Sequence, residues 1–494
     1  MPKHIYFTDA RVPNAKIRPL FSLEHRWQRW LDVEAALAVA EAEVGIVPAE
    51  AAEAISRAAS LDAMDAEHIS QRILETSHPL MALVHELSEA VGEPHGGWVH
   101  WGATTQNITQ TGDALVLREA HEIIQRLLGD ILQSLADLAD TGAQMVMAGR
   151  THGQQAVPIT FGLKAATWID EMLRHLDRLE QVEPRIFTAM TGGAVGSFAS
   201  FGEQGPAVQA GVAKHLGLDP MKVPARSISD GYAEYVCVLG LLASTSGRIA
   251  SEIYTLMKTE FGEVREAAPR GTIGSSTMPH KYNPQLTDDV LAISAQIRAL
   301  VPLAMDGMIH DHEVNGANSM MMDSALQQAC TLSGDLLVRL HAILDNLELD
   351  ETRMRSNLDL TKGLVSSESV MLALGKIIGR QHAHDVVYDA AQKVTRDGET
   401  FIDALLADKR VSEHLSREEI ELLLDPASKT GLSASIAHDS ADRATLAAVE
   451  LSAHKDPIDS ERLRRAPSDQ ENTPTRAPAS HHAVKSFRRR FGRR

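Results

Sequence analysis

Five stretches of this chain repeat apolar residues every three or four positions for longer than an ordinary globular helix lasts. They span 112–143, 161–182, 231–261, 283–310 and 323–347. Such a period predicts α-helix, and each run is at least twice the usual length of about 11 residues. Long helices joined by short polar connections pack as an elongated bundle. Several of these stretches are apolar on more than one face, which predicts burial on both sides and hence partner subunits. A further run at 26–45 has the same period and ends on Gly45, a C-cap residue. No segment alternates strongly enough to predict a sheet. The expected class is all-α.

Composition narrows the function. The chain has 494 residues and a formal net charge of −18. That argues against general nucleic-acid binding by the globular body. Aromatic residues are only 4% of the chain, and alanine and leucine are abundant, which favours helix over strand. Cys237 and Cys330 are far apart and lack metal-ligand spacing, as expected of reduced thiols. The opening "MPKHIYFTDA" has no apolar h-region. No apolar run approaches the roughly 18 residues of a membrane span. A cytoplasmic protein without membrane contact is expected.

Three helical domains and a tail are expected. They are an N-terminal domain at 1–111, the central bundle at 112–364 with a polar loop at 271–284, and a smaller domain at 365–454. The smaller domain opens at "LTKGLVSSES". Residues 455–494 are rich in proline, serine and arginine and poor in aliphatics, a disordered basic tail by composition.

Four polar stretches interrupt the helical pattern: "TSHPL" (76–80), "HWGATTQN" (100–107), "GRTHGQQAVPITFG" (149–162) and "GSSTMPHKYNP" (274–284). Loops on a rigid scaffold are where function concentrates. None of them matches a P-loop, a dinucleotide fingerprint or a zinc pattern. His310 and His312 are too close to share one helix face. No metal and no cofactor are expected.

"GSSTMPHKYNP" resembles the signature loop of the fumarase/aspartase superfamily, G-S-S-x-M-P-x-K-x-N-P. "HWGATTQN" and "GRTHGQQAVPITFG" resemble that family's first and second conserved regions, in the same order. "DPASKTGLSASIAHD" (425–439) is similar to the C-terminal segment of the adenylosuccinate lyase and 3-carboxy-cis,cis-muconate cycloisomerase branch. The resemblance covers roughly residues 15–445. It implies an all-helical fold whose five-helix bundles assemble into a twenty-helix homotetramer core, with each active site shared between subunits. It also implies anti β-elimination from a substituted succinate, a small dicarboxylate, giving fumarate.

The resemblance assigns the base to Ser275. A serine hydroxyl is too weak an acid to serve alone, so backbone N–H donors and a cation must assist it. Lys281 is the nearest cation in sequence, and Asn283 and Ser276 are implied substrate contacts. His152 and His78 match the two family histidines, either of which could be the general acid. Thr104, Thr105, Gln106 and Asn107 would bind substrate carboxylates, with Thr151 and Gln154 beside His152. Asp288 stands where the family has an acid paired with the His152 equivalent. "TGGAVGSFASFG" (191–202) resembles a glycine-rich loop near the site.

Departures from the pattern bear on the substrate. No lysine or arginine occurs from Ala299 through Val338, where adenylosuccinate lyases grip a phosphate. A buried phosphate without a cation is costly. Tyr282 and Ser229 also replace arginines. "HEVNGAN" is closer to the cycloisomerase pattern. Together these residues point to a small C2-substituted succinate, with nitrosuccinate (releasing nitrite) or an N-substituted aspartate as candidates. Adenylosuccinate lyase of purine synthesis, the muconate cycloisomerase and a non-catalytic protein on this fold are the alternatives.

Overall fold

The structure, a computed structural model, describes residues 11–267 and 274–453. The expected basic tail, the first ten residues and residues 271–273 of the polar loop lie outside the described residues. The all-α expectation holds. The N-terminal region contains α1 (Leu23–Glu43), α2 (Ala49–Ala58), α3 (Ala66–Thr76) and α4 (Pro79–Val91). The long elements follow: α5 (Thr105–Thr141), α6 (Phe161–Ile186), the shorter α7 (Gly205–Leu216), α8 (Asp230–Leu256), α9 (Gln285–Asp306) and α10 (Gly316–Asp345). Small helices make up the C-terminal region: α11 (Glu351–Leu358), α12 (Ser367–Ile378), α13 (Arg380–Asp397), α14 (Phe401–Leu406), α15 (Lys409–Ser412) and α16 (Arg417–Leu424). The last helix is α17 (Ser433–Ala453).

The five helices α5, α6, α8, α9 and α10 share one hydrophobic core, which includes Leu128, Trp168, Leu239, Ile297 and Leu340. α17 joins them. Its Ala437, Ala441, Ala444 and Ala447 belong to the same core, and Gly129 of α5 lets Leu451 and Ala448 approach closely. The polypeptide therefore leaves the small C-terminal domain, which has its own core around Val370, Leu374 and Phe401, and returns to the bundle as a sixth helix. Alanines at helical spacing narrow the helix so that it can seat there. α1–α4, α7 and the start of α5 enclose the third core.

Strands are few but present, against the expectation of none. β1 (Val146–Thr151) and β2 (Gln154–Thr160) form an antiparallel hairpin between α5 and α6. Its pattern was too short and too interrupted by glycine to show a period of two. The parallel pair β3 (Thr188–Ala189) and β4 (Asp219–Pro220) is minimal, as is the antiparallel pair β5 (Val264–Glu266) and β6 (Leu347–Leu349).

α8 also departs from the sequence reading. It is long and apolar enough to cross a membrane by length and composition, with a mean hydropathy of 1.3 over an 18-residue window. Yet 61% of that window is buried inside the fold, as for a core helix. On the outer faces of α8, α9 and α10, Leu241, Tyr254, Met305 and Met320 remain exposed.

α6 and α8 are joined by a buried polar contact that makes stability depend on pH. His175 Nε2 lies 2.8 Å from Thr245 Oγ1, and Arg178 Nη1 lies 3.3 Å from His175 Nδ1. Burial first, and the Arg178 charge second, lower this histidine's pKa to about 4. The unfolded chain therefore takes up a proton that the folded chain refuses. The stabilisation is complete above the ordinary value of about 6.5 and is lost as pH falls toward 4. Urea titrations should show this group removing about 1 kcal/mol between pH 7 and 5.5. His175→Gln should flatten that part of the pH profile, and an unchanged slope would exclude the group.

Candidate active site

The tip of the β1–β2 hairpin carries His152. Thr151 and Gln154 form its last pair, and His152 and Gly153 have φ of +51° and +74°. Two successive left-handed residues are what a two-residue hairpin turn requires. Thr151, His152, Gly153 and Gln154 are all exposed. The base beneath them is firmly held. Arg150 donates to both oxygens of Glu263 at 2.9 and 2.6 Å and stacks over Phe261. Asn357 donates to Glu263 Oε1 at 2.8 Å, and Gln155 donates to the Asn357 carbonyl at 2.7 Å. A bidentate arginine on a fully buried carboxylate fixes direction as well as position.

The signature loop is folded against itself. Ser275 Oγ accepts from the backbone N–H of Met278 at 3.1 Å and of Thr277 at 3.4 Å. Donors aimed at that oxygen stabilise an alkoxide there. Asn283 Nδ2 donates to the Gly274 carbonyl at 2.9 Å, clamping the loop's two ends together. Part of the amide expected to bind substrate therefore serves the loop itself. A Cβ on Gly274 would stand 2.4 Å from the Lys281 carbonyl oxygen. Ser276 and Lys281 are exposed. The serines do not cap α9. Glu266 does, accepting from Leu286 N–H, Thr287 N–H and the Thr287 hydroxyl.

Asp288 and His152 do not form the expected pair within the chain. Asp288 lies in the first turn of α9, and its pKa is raised by burial and by Asp289 against the pull of Arg11. No hydrogen bond joins it to the hairpin among the described residues.

A third group gathers at the start of α5. The sequence reading placed 104–107 in a loop, but Thr104 is the N-cap and Thr105, Gln106 and Asn107 form the first helical turn. Thr104 and Asn107 make a reciprocal capping box. Asn107 is fully buried and also donates to the Gly193 carbonyl at 3.3 Å. Its side chain is thereby engaged within the chain, in the cap and at Gly193. His78 caps α4, its Nδ1 accepting from Met81 N–H at 3.2 Å. The proton therefore sits on Nε2, which meets Thr105 Oγ1 at 3.4 Å. Gly193 of the glycine-rich stretch is tied to this group through Asn107, and Ser200 donates to the Gly102 carbonyl at 2.6 Å.

The three groups are not assembled in one chain. Gly162 N–H donates to the Gly142 carbonyl, so the hairpin leaves from the C-terminal end of α5. Arg150–Glu263 and the Glu266 cap attach the signature loop at the same end. Thr105 begins α5, 37 residues away along the helix, or about 55 Å at 1.5 Å per residue.

A family described as Lyase matches residues 9–299, and one described as Adenylosuccinate lyase C-terminus matches residues 363–439. The chain belongs to the fumarase/aspartase superfamily of lyases. It is 39% identical to N-acetyl-S-(2-succino)cysteine lyase of Enterococcus italicus, over 85% of this chain and 92% of that protein. It is 35% identical to adenylosuccinate lyase of Methanocaldococcus jannaschii, over 87% and 93% of the two chains. The solved fumarate lyase of Mesorhizobium sp. BNC1 superposes with a TM-score of 0.81 at 34% identity, covering 87% of this chain and 98% of that one. The protein is thus a β-eliminating lyase of this superfamily.

Sequence reasoning missed three supports of the site: the Arg150–Glu263 pair, the Glu266 cap, and a 2.6 Å contact between His100 Nδ1 and Glu34 Oε1. Their acidic members are isolated glutamates in helical or strand patterns, with no local motif to mark them. The loop's closure is testable at Gly274. Gly274→Ala should lower turnover about 100-fold, the scale of an ångström-level misplacement, with the melting temperature unchanged. Normal turnover in that variant would show that the loop does not need its closed shape.

Proposed function

We propose that this lyase removes the C2 substituent of a small substituted succinate and releases fumarate, with a succinylated thiol as its preferred substrate class. The observation that carries the reading is the pair of backbone donors on Ser275 Oγ, in a loop that has an exposed lysine and whose serines do not cap the helix that follows. The similarity to N-acetyl-S-(2-succino)cysteine lyases supports the thiol leaving group. Nitrosuccinate fits the same chemistry and is the second reading.

The step balances simply. Ser275, as the alkoxide that its backbone donors stabilise once its own proton has passed to solvent, takes the proton from C3, the electron pair forms the C2–C3 double bond, and the C2–S bond breaks to give a thiolate. The intermediate carries extra charge on the carboxylate beside C3, where Lys281 would assist. Cysteine thiols ionise near pH 8.5, so a thiolate departs with little help. An amine leaves only when protonated, and His152 would matter far more to it.

A nucleotide substrate is disfavoured. α10 begins without a lysine or arginine. Of the arginines near its Asp323, Arg26 is paired with Asp113 at 3.3 Å, and Arg26 and Arg226 both feel the Asp323 charge.

The α5 helix, about 55 Å long, lies between its start and the end where the other two groups attach, so the reading includes a homotetramer whose sites combine loops of different copies. The exposed apolar side chains of α8–α10 support that assembly.

Fumarate release, followed by ultraviolet absorbance, should be fastest with N-acetyl-S-(2-succino)cysteine among that compound, nitrosuccinate, aspartate, adenylosuccinate and argininosuccinate. Turnover of 3-carboxymuconate with no fumarate from any of them would sink the elimination reading. Ser275→Ala should lower turnover at least ~10³-fold with folding intact. His152→Ala should slow an N-linked succinate much more than an S-linked one. Equal losses would make the histidine an orienting group rather than an acid.

A further inference from the structure

Glu34 sits in the middle of α1, among residues that form the N-terminal core. Its residue surface is 2% exposed. A carboxylate taken this far from water needs a partner. Oε1 lies 2.6 Å from His100 Nδ1, and Oε2 has no hydrogen-bond partner among the described residues. Two turns along the helix, Glu41 is equally buried, and its pKa is raised to about 9 by burial and by Glu34. Glu41 is thus neutral near pH 7.

His100 opens the stretch that leads into α5. Its φ is +62°, a conformation uncommon for any residue with a side chain. Gly102 follows at +65°, and a Cβ there would meet the Phe201 ring at 2.5 Å. The chain therefore makes two left-handed steps between the buried Glu34–His100 contact and the Thr104 cap. The far end of the turn is tied by Asn107 to Gly193 and the middle by Ser200 to Gly102. The near end is tied through the His100 ring to Glu34. Backbone held in such a conformation persists only where its surroundings determine it.

We propose that Glu34 is a positioning residue for the substrate-binding turn: its carboxylate fixes the His100 ring, and through it the left-handed turn that sets Thr104 and Thr105 at the head of α5. Glu34 acts through His100 and not on substrate. The inference rests on the reading that this turn binds a succinate-type dianion.

The test is fumarate binding, by calorimetry, alongside steady-state kinetics on the full chain. Glu34→Ala should weaken fumarate at least ~10-fold and raise KM similarly, while kcat falls less, because the chemistry stands on other loops. Glu34→Gln keeps an oxygen for the Nδ1–H and should recover most of the loss. His100→Asn is the second variant, since asparagine tolerates left-handed backbone but removes the ring. It should reproduce the same split even if Glu34→Ala does not fold. Folded variants with wild-type fumarate affinity and KM would overturn the positioning role, leaving Glu34 a stability residue only. A wild-type enzyme that neither binds nor releases fumarate would instead overturn the proposed function, and this inference with it.

Discussion

A 37-residue helix sets the distances on which the rest of this molecule depends. α5 carries a buried face along its whole length, from Ile108 through Leu138. It has groups of chemical interest at both ends and none that could act alone. Hydrophobic packing along its length makes it a rigid spacer. The polar residues at its two ends therefore cannot collapse onto one another. Any site that uses both must draw on more than one chain.

Each end is then built by a small number of buried acids. Glu263 holds Arg150 under the hairpin, Glu266 takes the first donors of α9, and Glu34 holds His100. These acids lie at 0%, 2% and 2% exposure, which is rare for glutamate. Breaking a buried pair by removing one partner typically costs about 3–5 kcal/mol, because the other charge is left stranded. That cost makes the geometry at each site all-or-none. It also explains why the groups above these acids can remain exposed. The His152 tip, Ser276 and Lys281 point to solvent from supports that do not yield, which suits parts that meet a substrate or another subunit.

Elements made by near neighbours leave a local mark in the sequence, although the hairpin turn and the capping box were not read from it. Ser275 and its donors lie within three residues, the His152–Gly153 turn within two, and the Thr104–Asn107 box within three. Glycine, proline, serine and asparagine at those spacings have few conformations to choose from. A threonine and an amide three residues apart can cap a helix or bind a carboxylate, and only burial separates the two.

The apolar period of the chain by itself determined the all-α class, the five long helices and the loops between them. It said which face of each helix is apolar but not what lies against that face. Tertiary structure decided that the last helix rejoins the bundle, that Glu34 reaches His100 across 66 residues of sequence, and that Arg150 reaches Glu263 across 113. It also decided that Asp288 and His152 stay apart within the chain. The reason is that such contacts are set by the register of whole helices packed on one another. That register follows from the sum of many weak side-chain contacts and leaves no mark on any single short stretch.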